Sequence, residues 1–418
     1  MLVLVAATAV LAADVFVSAV AGGQTVDPGF SPPAGTTTTI PTTTTVRGGP
    51  RVPADLFGAS GELLYGTPLD PTRPAQFKAM AAAGVEIVRR EAVWSEIEPN
   101  APDPTYGHSF DWNGYDTYLS DMAPDGLRWQ PVLGYSTNWS TSVPGNTIAP
   151  PKNPADFAAY AAAFAARYGR GGTFWAAHPS FPYKPVTTYE IWNEENMSYW
   201  WGNQLPDPSA YATLYEAARQ AIRGVDPQAA VIIGGLARED TQLPTAYQDG
   251  AFVAAMVSSH PELMGNIDGV GYHPYAATAA GASSDVLNRT AAMRHSLSAA
   301  GLGSVPLYLT EVGWSTAGVP LNHENVTEAQ RTQAIQITAD QLARSNCNVR
   351  EYMIHTWVSE ENIADPNEPM TSQDRWYGIA NTDATLKPSS QAYAAVIANL
   401  TGKGPTPPNP AVVNLCGS

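Results

Sequence analysis

The chain has 418 residues, of which 44% are hydrophobic and 14% charged, so it can bury the core of one large domain or of two ordinary ones. Its formal net charge of -16 argues against nucleic acid or an anionic membrane surface as a partner.

Residues 1–21 form an apolar segment that ends in Ala19-Val20-Ala21, small residues that are typical of a signal-peptidase cleavage site. No Lys or Arg lies near its start, so an uncleaved membrane anchor is the alternative. Residues 22–50 contain threonine runs at 36–39 and 42–45, and such a Thr/Pro-rich tract predicts an extended linker because it cannot form a core. We therefore expect a secreted or extracellular protein, which is membrane-anchored if the segment is retained.

Short apolar runs alternate with helix-like segments between residues 51 and 400. The predicted strands are Leu56–Ser60, Glu86–Glu91, Arg128–Gly134, Thr187–Trp192, Ala230–Gly234, Asp268–His273, Pro306–Glu311 and Val349–Thr356. The predicted helices are Pro74–Ala83, Asp111–Met122, Pro154–Tyr168, Pro208–Arg223, Ala251–Ser259, Ser284–Ala300, Thr327–Ser345 and Ser389–Leu400, with N-caps at Asn153, Asp207 and Thr327.

Eight strand-then-helix units predict a parallel sheet covered by helices, and we expect a (β/α)8 TIM barrel with enlarged loops after its strands. The alternative is an open doubly wound sheet. The glycines at Gly58 and Gly61 lack the spacing of the phosphate loop that usually follows the first strand of such a sheet.

A Pro-rich tail follows at 401–418, and it contains one of the chain's two cysteines. In a secreted chain, Cys347 and Cys416 suggest one disulfide that ties the tail to the body. The alternative is two unrelated thiols. Because Cys347 precedes the eighth predicted strand, a disulfide would hold the tail at the end of the barrel opposite the active site.

Two strings place a glutamate where a predicted strand gives way to a loop, namely Trp192–Asn196 and Thr310–Trp314. Because the chemistry of a barrel lies at the C-terminal ends of its strands, Glu194 and Glu311 should share one end. A proton donor paired with a nucleophile is the requirement of glycoside hydrolysis by double displacement. Other strand ends add Arg89, Tyr135, Tyr275 and His355, the donors and flat rings that bind sugars.

These motifs resemble those of the clan A retaining glycoside hydrolases, most closely the family 39 and family 5 type, which includes β-xylosidase-like and cellulase-like enzymes. The resemblance covers about residues 56–400. It rests on the ordered set of Gly84–Arg89 leading to Trp94, Trp192-Asn193-Glu194, Gly271–Tyr275 and Leu309–Trp314.

The resemblance implies a role for each matching residue. Glu194 would be the acid/base and Glu311 the nucleophile, while Asn193 would bind the sugar 2-hydroxyl. Arg89 and Tyr275 would hold Glu311 ionised. His273 would line the subsite around the scissile bond and Trp357 would form its floor. Tyr135 and Trp314 are further candidates for substrate binding or support.

Neighbouring residues need separate interpretations. Glu195 stands where the family usually has proline, and we expect it at the surface or rim of the site. Glu190 is predicted to be a buried structural acid, and strand alternation points Arg90 outward. For His355 a site role and a core role are equally supported. The run Tyr199-Trp200-Trp201 fits either a subsite wall or the packing of its own loop.

The combined expectation is a retaining glycoside hydrolase that acts on a poly- or oligosaccharide through a glycosyl-enzyme. It would need no cofactor and no metal, and it would act as a monomer. The first alternative is a catalytically silent carbohydrate-binding barrel at the cell surface, and a transglycosylase is a variant of the leading hypothesis. A metal hydrolase is disfavoured, because the seven histidines form neither His-x-His nor His-Glu-x-x-His.

Overall fold

A computed structural model describes residues 52–238, 246–319, 324–363, 371–405 and 411–417. The predicted signal peptide or anchor and the Thr/Pro-rich linker lie outside the described residues. Within those ranges, none of the helices has the length and apolar character needed to cross a bilayer.

Eight parallel strands close into a barrel, which confirms the predicted (β/α)8 architecture. They are β1 (Phe57–Ser60), β2 (Ile87–Val93), β3 (Arg128–Gly134), β6 (Thr188–Asn193), β7 (Ala230–Ala237), β8 (Val270–His273), β9 (Leu307–Val312) and β10 (Val349–Ile354). The closed order is β1-β10-β9-β8-β7-β6-β3-β2. Each strand ends within three residues of its predicted position, because short buried runs between turn signals are a strong local pattern.

Helices cover the outside of the barrel. They are α1 (Arg73–Ala82), α2 (Trp94–Ile97), α3 (Asn113–Met122), α4 (Pro154–Tyr168), α5 (Thr173–Ala177), α6 (Pro208–Val225), α7 (Asp249–Ser259), α8 (Ser284–Ala299), α9 (Glu328–Ala343) and α10 (Pro388–Leu400). The predicted N-caps form: Asn153 and Asp207 accept hydrogen bonds from backbone amides of the first helical turn. Thr327 and Gln330 form a capping box, which satisfies amides that have no partner inside the helix.

The layer between barrel and helices holds the main hydrophobic core, and it is rich in aromatic rings. Trp129 on the outer face of β3 packs against Tyr115 of α3 and Phe164 of α4, with ring centroids 5.5 Å and 5.1 Å apart. Arg90 points into this layer as predicted. Its guanidinium lies 4.3 Å from the ring centroid of Tyr65 and donates to Tyr115 Oη at 3.1 Å. The outward-facing side chains of β2 thus pack against the helical layer, and its inward-facing side chains point into the barrel.

The loop after β3 folds into a hairpin of β4 (Thr141–Val143) and β5 (Asn146–Pro151). This hairpin packs against the turn that follows β6. At the contact, Gly202 has a φ of +75°, and a Cβ there would lie 2.3 Å from the Cβ of Ala149. Only glycine fits both restrictions, so Gly202 lets the two loops meet at the C-terminal end of the barrel.

The opposite end of the barrel holds the C-terminal tail. Cys347 and Cys416 form a disulfide across 69 residues of sequence, with their Cα atoms 5.2 Å apart. The side chain of Asn346 also accepts hydrogen bonds from the backbone amides of Leu415 and Cys416. The tail is therefore attached just before β10, far from the ends of the strands that carry the two glutamates.

Candidate active site

Glu194 and Glu311 lie at the C-terminal ends of β6 and β9, on the same end of the barrel. The chain leaves β6 through a strained backbone, because Trp192 and Glu194 have φ values of +71° and +47°. Bulky residues rarely adopt this left-handed conformation, which costs about 1–3 kcal/mol at each position. The surrounding packing holds Trp192 in place, since it is fully buried and its indole donates to the carbonyl of Trp200 at 2.7 Å. The strain therefore serves to aim Glu194.

The two carboxyl groups face each other beside the imidazole of His273. Nδ1 of His273 lies 2.9 Å from Glu194 Oε1 and 3.6 Å from Glu311 Oε2. One oxygen of each glutamate and a ring nitrogen of His273 all lie within 4.8 Å of one another. The structure thus brings together the two acids that the sequence separates by more than a hundred residues.

Arg89 joins Glu311 to a second buried acid on β6. Its Nη1 donates to Glu311 Oε1 at 2.6 Å, and its Nε donates to Glu190 Oε2 at 2.7 Å. Its Nη2 donates to Asn193 Oδ1 at 2.8 Å and to Glu190 Oε1 at 3.1 Å. Glu190 is fully buried, as expected of a structural acid, and also accepts from the backbone amide of Gly235. Arg89 is therefore held at a fixed position against Glu311.

The surroundings of Glu311 keep its carboxylate ionised. Burial by itself would raise its pKa, but the electrostatic influence of the His273 and His355 imidazoles and of the Arg89 guanidinium lowers the pKa overall, well below the ordinary range. Tyr275 adds to this effect by donating from Oη to Glu311 Oε2 at 2.6 Å. Burial, and then the neighbouring Glu311 carboxylate, raise the pKa of Tyr275 well above its usual value, so that the phenol keeps its proton.

His273 supports the two acids from beneath. The resemblance implied that His273 lines a sugar subsite. Its side chain has no exposed surface in this structure, so that expectation is wrong. Its Nε2 lies 3.1 Å from Thr310 Oγ1, and Thr310 in turn donates to Glu190 Oε1 at 3.2 Å. A Cβ at Gly235 would lie 2.0 Å from His273 Nε2, so only glycine at this point of β7 leaves room for the ring.

Aromatic side chains form part of the wall beside β6. Tyr135 is half-buried, and its ring stacks on Trp200 with centroids 5.5 Å apart. Its hydroxyl has no hydrogen-bond partner in the described part of the chain. Trp201 instead packs inward, edge-on to Trp192 at 5.9 Å. Both interpretations of this aromatic run therefore apply, but to different residues. Trp200 lies in the wall beside Tyr135, whereas Trp201 packs within its own loop.

Trp314 is a supporting residue. It is 3% exposed, and its indole donates to the carbonyl of Ala282 at 2.8 Å. This contact fixes the loop after β8, which contains Tyr275. Trp314 thus stabilises the position of a residue that binds Glu311.

The expectation for Trp357 is wrong. Its side chain is fully buried and its indole donates to Gln76 Oε1 of α1 at 3.0 Å, so it has no face to offer to a sugar. The residue after β10 that reaches the site is His355, whose Nδ1 lies 3.7 Å from Glu311 Oε2. The sequence places both residues at the same strand end, and the path of the chain turns His355 inward and Trp357 toward the helices.

The expectation for Glu195 is also wrong, because this residue is fully buried instead of lying at the rim. Its carboxyl lies beneath β7, where a Cβ at Gly234 would come within 2.4 Å of Glu195 Oε2. Burial is the largest cause that raises the pKa of Glu195 well above its ordinary value. The strained backbone of Glu194 turns the following side chain into the protein, which strand alternation does not reveal.

Glu62, which the sequence interpretation missed, is also a site residue. It lies two residues beyond the end of β1, and its Oε1 is 3.6 Å from His355 Nδ1. Burial raises the pKa of Glu62 to about 7, although the neighbouring His355 opposes the shift. The rule that strand ends carry the chemistry would have found Glu62 if it had been applied to β1 as well.

At the candidate site, two sets of side chains have the ligand spacing of a cation site, Glu194 with His273 and Glu311, and Glu62 with His355 and Glu311. Both sets share Glu311, whose two oxygens already accept short hydrogen bonds from Arg89 and Tyr275. The permanent charge of Arg89 would repel a cation at this point. The arrangement suits acid–base chemistry better than metal binding.

A scan against protein-family models finds no match for this chain, and neither does a search of the curated proteins. Solved structures do resemble it, and the three described next are glycoside hydrolases. A GH39 enzyme from Xanthomonas axonopodis pv. citri superposes with a TM-score of 0.59 at 20% identity, covering 82% of this chain and 66% of that one. A monomeric β-xylosidase from Caulobacter crescentus CB15 gives a TM-score of 0.57 at 18% identity, covering 82% and 68%. A GH5_18 enzyme from Streptomyces cattleya, in complex with GlcNAc, gives 0.56 at 17%, covering 84% and 82%.

These neighbours show that the chain has the barrel fold of family 39 and family 5 glycoside hydrolases, as its motifs predicted. The chain spans about two thirds of the length of the GH39 enzyme and of the β-xylosidase described above. At this level of identity, the likeness shows the fold and does not carry over the activities or substrates of these enzymes.

Proposed function

We propose that this protein is a retaining glycoside hydrolase that cleaves O-glycosidic bonds through a covalent glycosyl-enzyme. The observation that carries the proposal is the spacing of Glu194 and Glu311, whose nearest carboxyl oxygens are within 4.8 Å. Retaining enzymes place their carboxyl groups about 5–5.5 Å apart, whereas inverting enzymes need roughly 6.5–9.5 Å to admit a water molecule. The gap here suits direct attack on the sugar.

The environment of each glutamate assigns its role. Glu311 is held ionised by Arg89 and Tyr275, whichever protonation state the imidazoles adopt, because these hydrogen bonds are the shortest contacts it makes. An ionised, fixed carboxylate suits the nucleophile that attacks the anomeric carbon. In that step the bond between the anomeric carbon and the leaving oxygen breaks, and a bond to a Glu311 oxygen forms.

A chain of hydrogen bonds supports Glu194 as the proton donor. Thr310 donates to Glu190, so its hydroxyl oxygen is free to accept from Nε2–H of His273. In that tautomer of a neutral imidazole, Nδ1 is an acceptor, and a protonated Glu194 donates to it across the 2.9 Å contact. Glu194 then passes this proton to the leaving oxygen. In the second step it accepts a proton from water, which attacks the anomeric carbon and releases Glu311.

Asn193 is placed to act on the sugar 2-hydroxyl. Its Oδ1 accepts from Arg89, which orients the amide and leaves its Nδ2 without a partner in the described structure. A hydrogen bond from this group that tightens in the transition state would lower the barrier. We also propose that the protein is secreted, which the apolar N-terminal segment and the Cys347–Cys416 disulfide support.

The test is chemical rescue with a 2,4-dinitrophenyl glycoside, whose leaving group needs no proton. Glu311→Ala should lower kcat/KM at least ~10⁴-fold, and added azide should give a glycosyl azide of inverted configuration. Glu194→Ala should still form the glycosyl-enzyme, and azide should speed its turnover and give the retained product.

The matched control is Glu195→Gln, which changes the neighbouring buried acid to a neutral group of the same size. It should show no azide product. Azide products of the opposite stereochemistry would exchange the two roles. Wild-type protein that binds glycans and cleaves none of them would replace the proposal by the carbohydrate-binding barrel.

A further inference from the structure

Glu62 and His355 form a polar pair beside the nucleophile that the double-displacement steps do not use. Glu62 follows β1 and His355 follows β10, and these two strands are neighbours in the barrel. Both side chains therefore project at the C-terminal end of the barrel, on the same side of Glu311. The pair is part of the wall that a sugar bound to Glu311 would meet.

Neither group has a hydrogen-bond partner in the described part of the structure. Nδ1 of His355 lies 3.6 Å from Glu62 Oε1 and 3.7 Å from Glu311 Oε2, both beyond hydrogen-bonding distance, and it is buried without a partner. The carboxyl group of Glu62 also accepts no hydrogen bond, and its side chain is 23% exposed. Because unpaired polar groups are costly at a buried site, a pair of this kind is suited to a ligand that satisfies both.

A hydroxyl group fits the pair chemically. It can accept a hydrogen bond from Nδ1–H of His355 and donate one to the carboxylate of Glu62, whereas a group that only donates or only accepts would satisfy one of them. The rings of Tyr275 and Tyr377 pack edge-on to His355, with centroids 6.1 Å and 5.2 Å away, and hold the imidazole in this orientation.

The barrel order indicates which part of the sugar reaches the pair. Counted in either direction around the closed sheet, β10 lies four strands from β6, which carries Glu194. The leaving group must lie at Glu194, since that residue protonates it. The end of the ring remote from the scissile bond then points toward β10 and β1.

Resting on the proposed function, we propose that Glu62 and His355 select the sugar in the cleaved subsite by binding its hydroxyl at carbon 3 or carbon 4. The two residues would therefore favour glycosides whose hydroxyl at carbon 3 or carbon 4 is unsubstituted. A substrate that lacks the bound hydroxyl leaves both protein groups unpaired, and a site of this kind rejects it strongly.

The experiment combines deoxy substrates with enzyme variants. The parent substrate is whichever 4-nitrophenyl glucoside, galactoside, mannoside or xyloside the wild type hydrolyses fastest, and its 3-deoxy and 4-deoxy analogues are compared with it. Glu62→Ala should lower kcat/KM for the parent about 10- to 100-fold, the value of a hydrogen bond to a charged group. On the deoxy analogue that lacks the bound hydroxyl, the same variant should lose less than about 3-fold, because the contact is already absent.

Further variants separate binding from folding. Glu62→Gln retains a carbonyl acceptor and should recover part of the loss on the parent. His355→Asn should depend on the deoxy substrates in the same way as Glu62→Ala, in addition to a loss shared by all substrates, because His355 also lowers the pKa of Glu311. The control Glu216→Gln changes an acid on α6, outside the candidate site, that accepts a hydrogen bond from Gln220, and it should leave all ratios unchanged. Melting temperatures check that each variant is folded.

The outcomes distinguish two failures. If wild type hydrolyses the parent but the losses from Glu62→Ala and from each deoxy change simply multiply, Glu62 does not bind those hydroxyls and the inference is overturned. If wild type hydrolyses none of these glycosides and cleaves no polysaccharide or oligosaccharide either, the proposed function itself fails and the inference with it.

Discussion

Two buried glutamates lie at opposite ends of the same barrel, and their carboxyl groups behave in opposite ways. Glu311, at the end of β9, is 8% exposed, and its pKa is lowered well below the ordinary range. Glu351, near the start of β10, is 2% exposed, and burial raises its pKa to about 8. The extent of burial is similar, so burial alone does not explain the difference.

The difference lies in the electrostatic influence of neighbouring groups, for Glu311 first His273, then His355 and Arg89, and in the hydrogen bonds around each carboxyl group. Glu311 accepts from Arg89 and Tyr275 at 2.6 Å each. Glu351 lines a small cavity with Gln130, and one of its own oxygens has no partner among the described residues. Arg350, the nearby cation, donates to the carbonyl of Ala54 instead. A buried acid is thus an ionised nucleophile where donors converge on it and a neutral group where they do not.

Removal of Arg89 should have the largest effect on this contrast. Arg89→Met leaves Glu190 and Glu311 buried without their cation, so we expect the free energy of unfolding to fall by about 3–5 kcal/mol. Because the nucleophile is no longer held ionised, kcat/KM should fall by roughly 10²–10³-fold. Urea unfolding and steady-state kinetics measure the two effects.

The matched change at the other end of the barrel is Arg350→Met. It should leave kcat/KM within about 2-fold of wild type, since Arg350 makes no contact with the site, and alter stability by less than about 1 kcal/mol. Similar losses from the two variants would contradict the distinction between the two ends.

The disulfide should show that the end opposite the site contributes stability without contributing to catalysis. Replacing both Cys347 and Cys416 by serine opens a loop that spans 69 residues of sequence. The chain-entropy model then predicts a loss of about 4 kcal/mol in the free energy of unfolding. Because the tail is attached before β10, kcat/KM at 25 °C should remain at the wild-type value. A loss of activity in a folded variant would mean that the tail acts on the site.

The pH dependence of stability should reveal Glu351. Its pKa is about 8 in the folded chain against an ordinary 4.5, so between these values the native state holds a proton that the unfolded state has released. The stabilisation is fully present below pH 4.5 and is lost as the pH rises toward 8. This group alone lowers the free energy of unfolding by up to about 1.4 kcal/mol per pH unit over that range.

Glu351→Gln replaces the carboxyl by a permanently neutral group and should remove this slope, so that the variant gains stability over wild type as the pH rises. Urea unfolding at pH 5, 6.5 and 8 measures the difference. Parallel stability curves for the two proteins would show that Glu351 titrates normally in the fold.

The sequence by itself determined the architecture of this protein. Strands, helices and helix caps are local features, because they depend on buried runs, on capping side chains and on glycine or proline at defined positions. The eight repeated strand-then-helix units then predict a closed parallel barrel. The ends of parallel strands meet at one end of a barrel, so the proximity of Glu194, Glu311, Arg89 and Tyr275 also followed from the pattern.

Only the tertiary structure decided which neighbours of these residues reach the site. Strand alternation holds within a strand, but it fails where the backbone leaves regular φ and ψ values, as it does at Trp192 and Glu194. Glu195 therefore lies buried instead of at the rim. His355 and Trp357 sit at one strand end, and packing against α1 removes Trp357 from the site. Glu62 becomes a site residue because β1 and β10 are neighbours, a contact across almost three hundred residues that closure of the barrel creates.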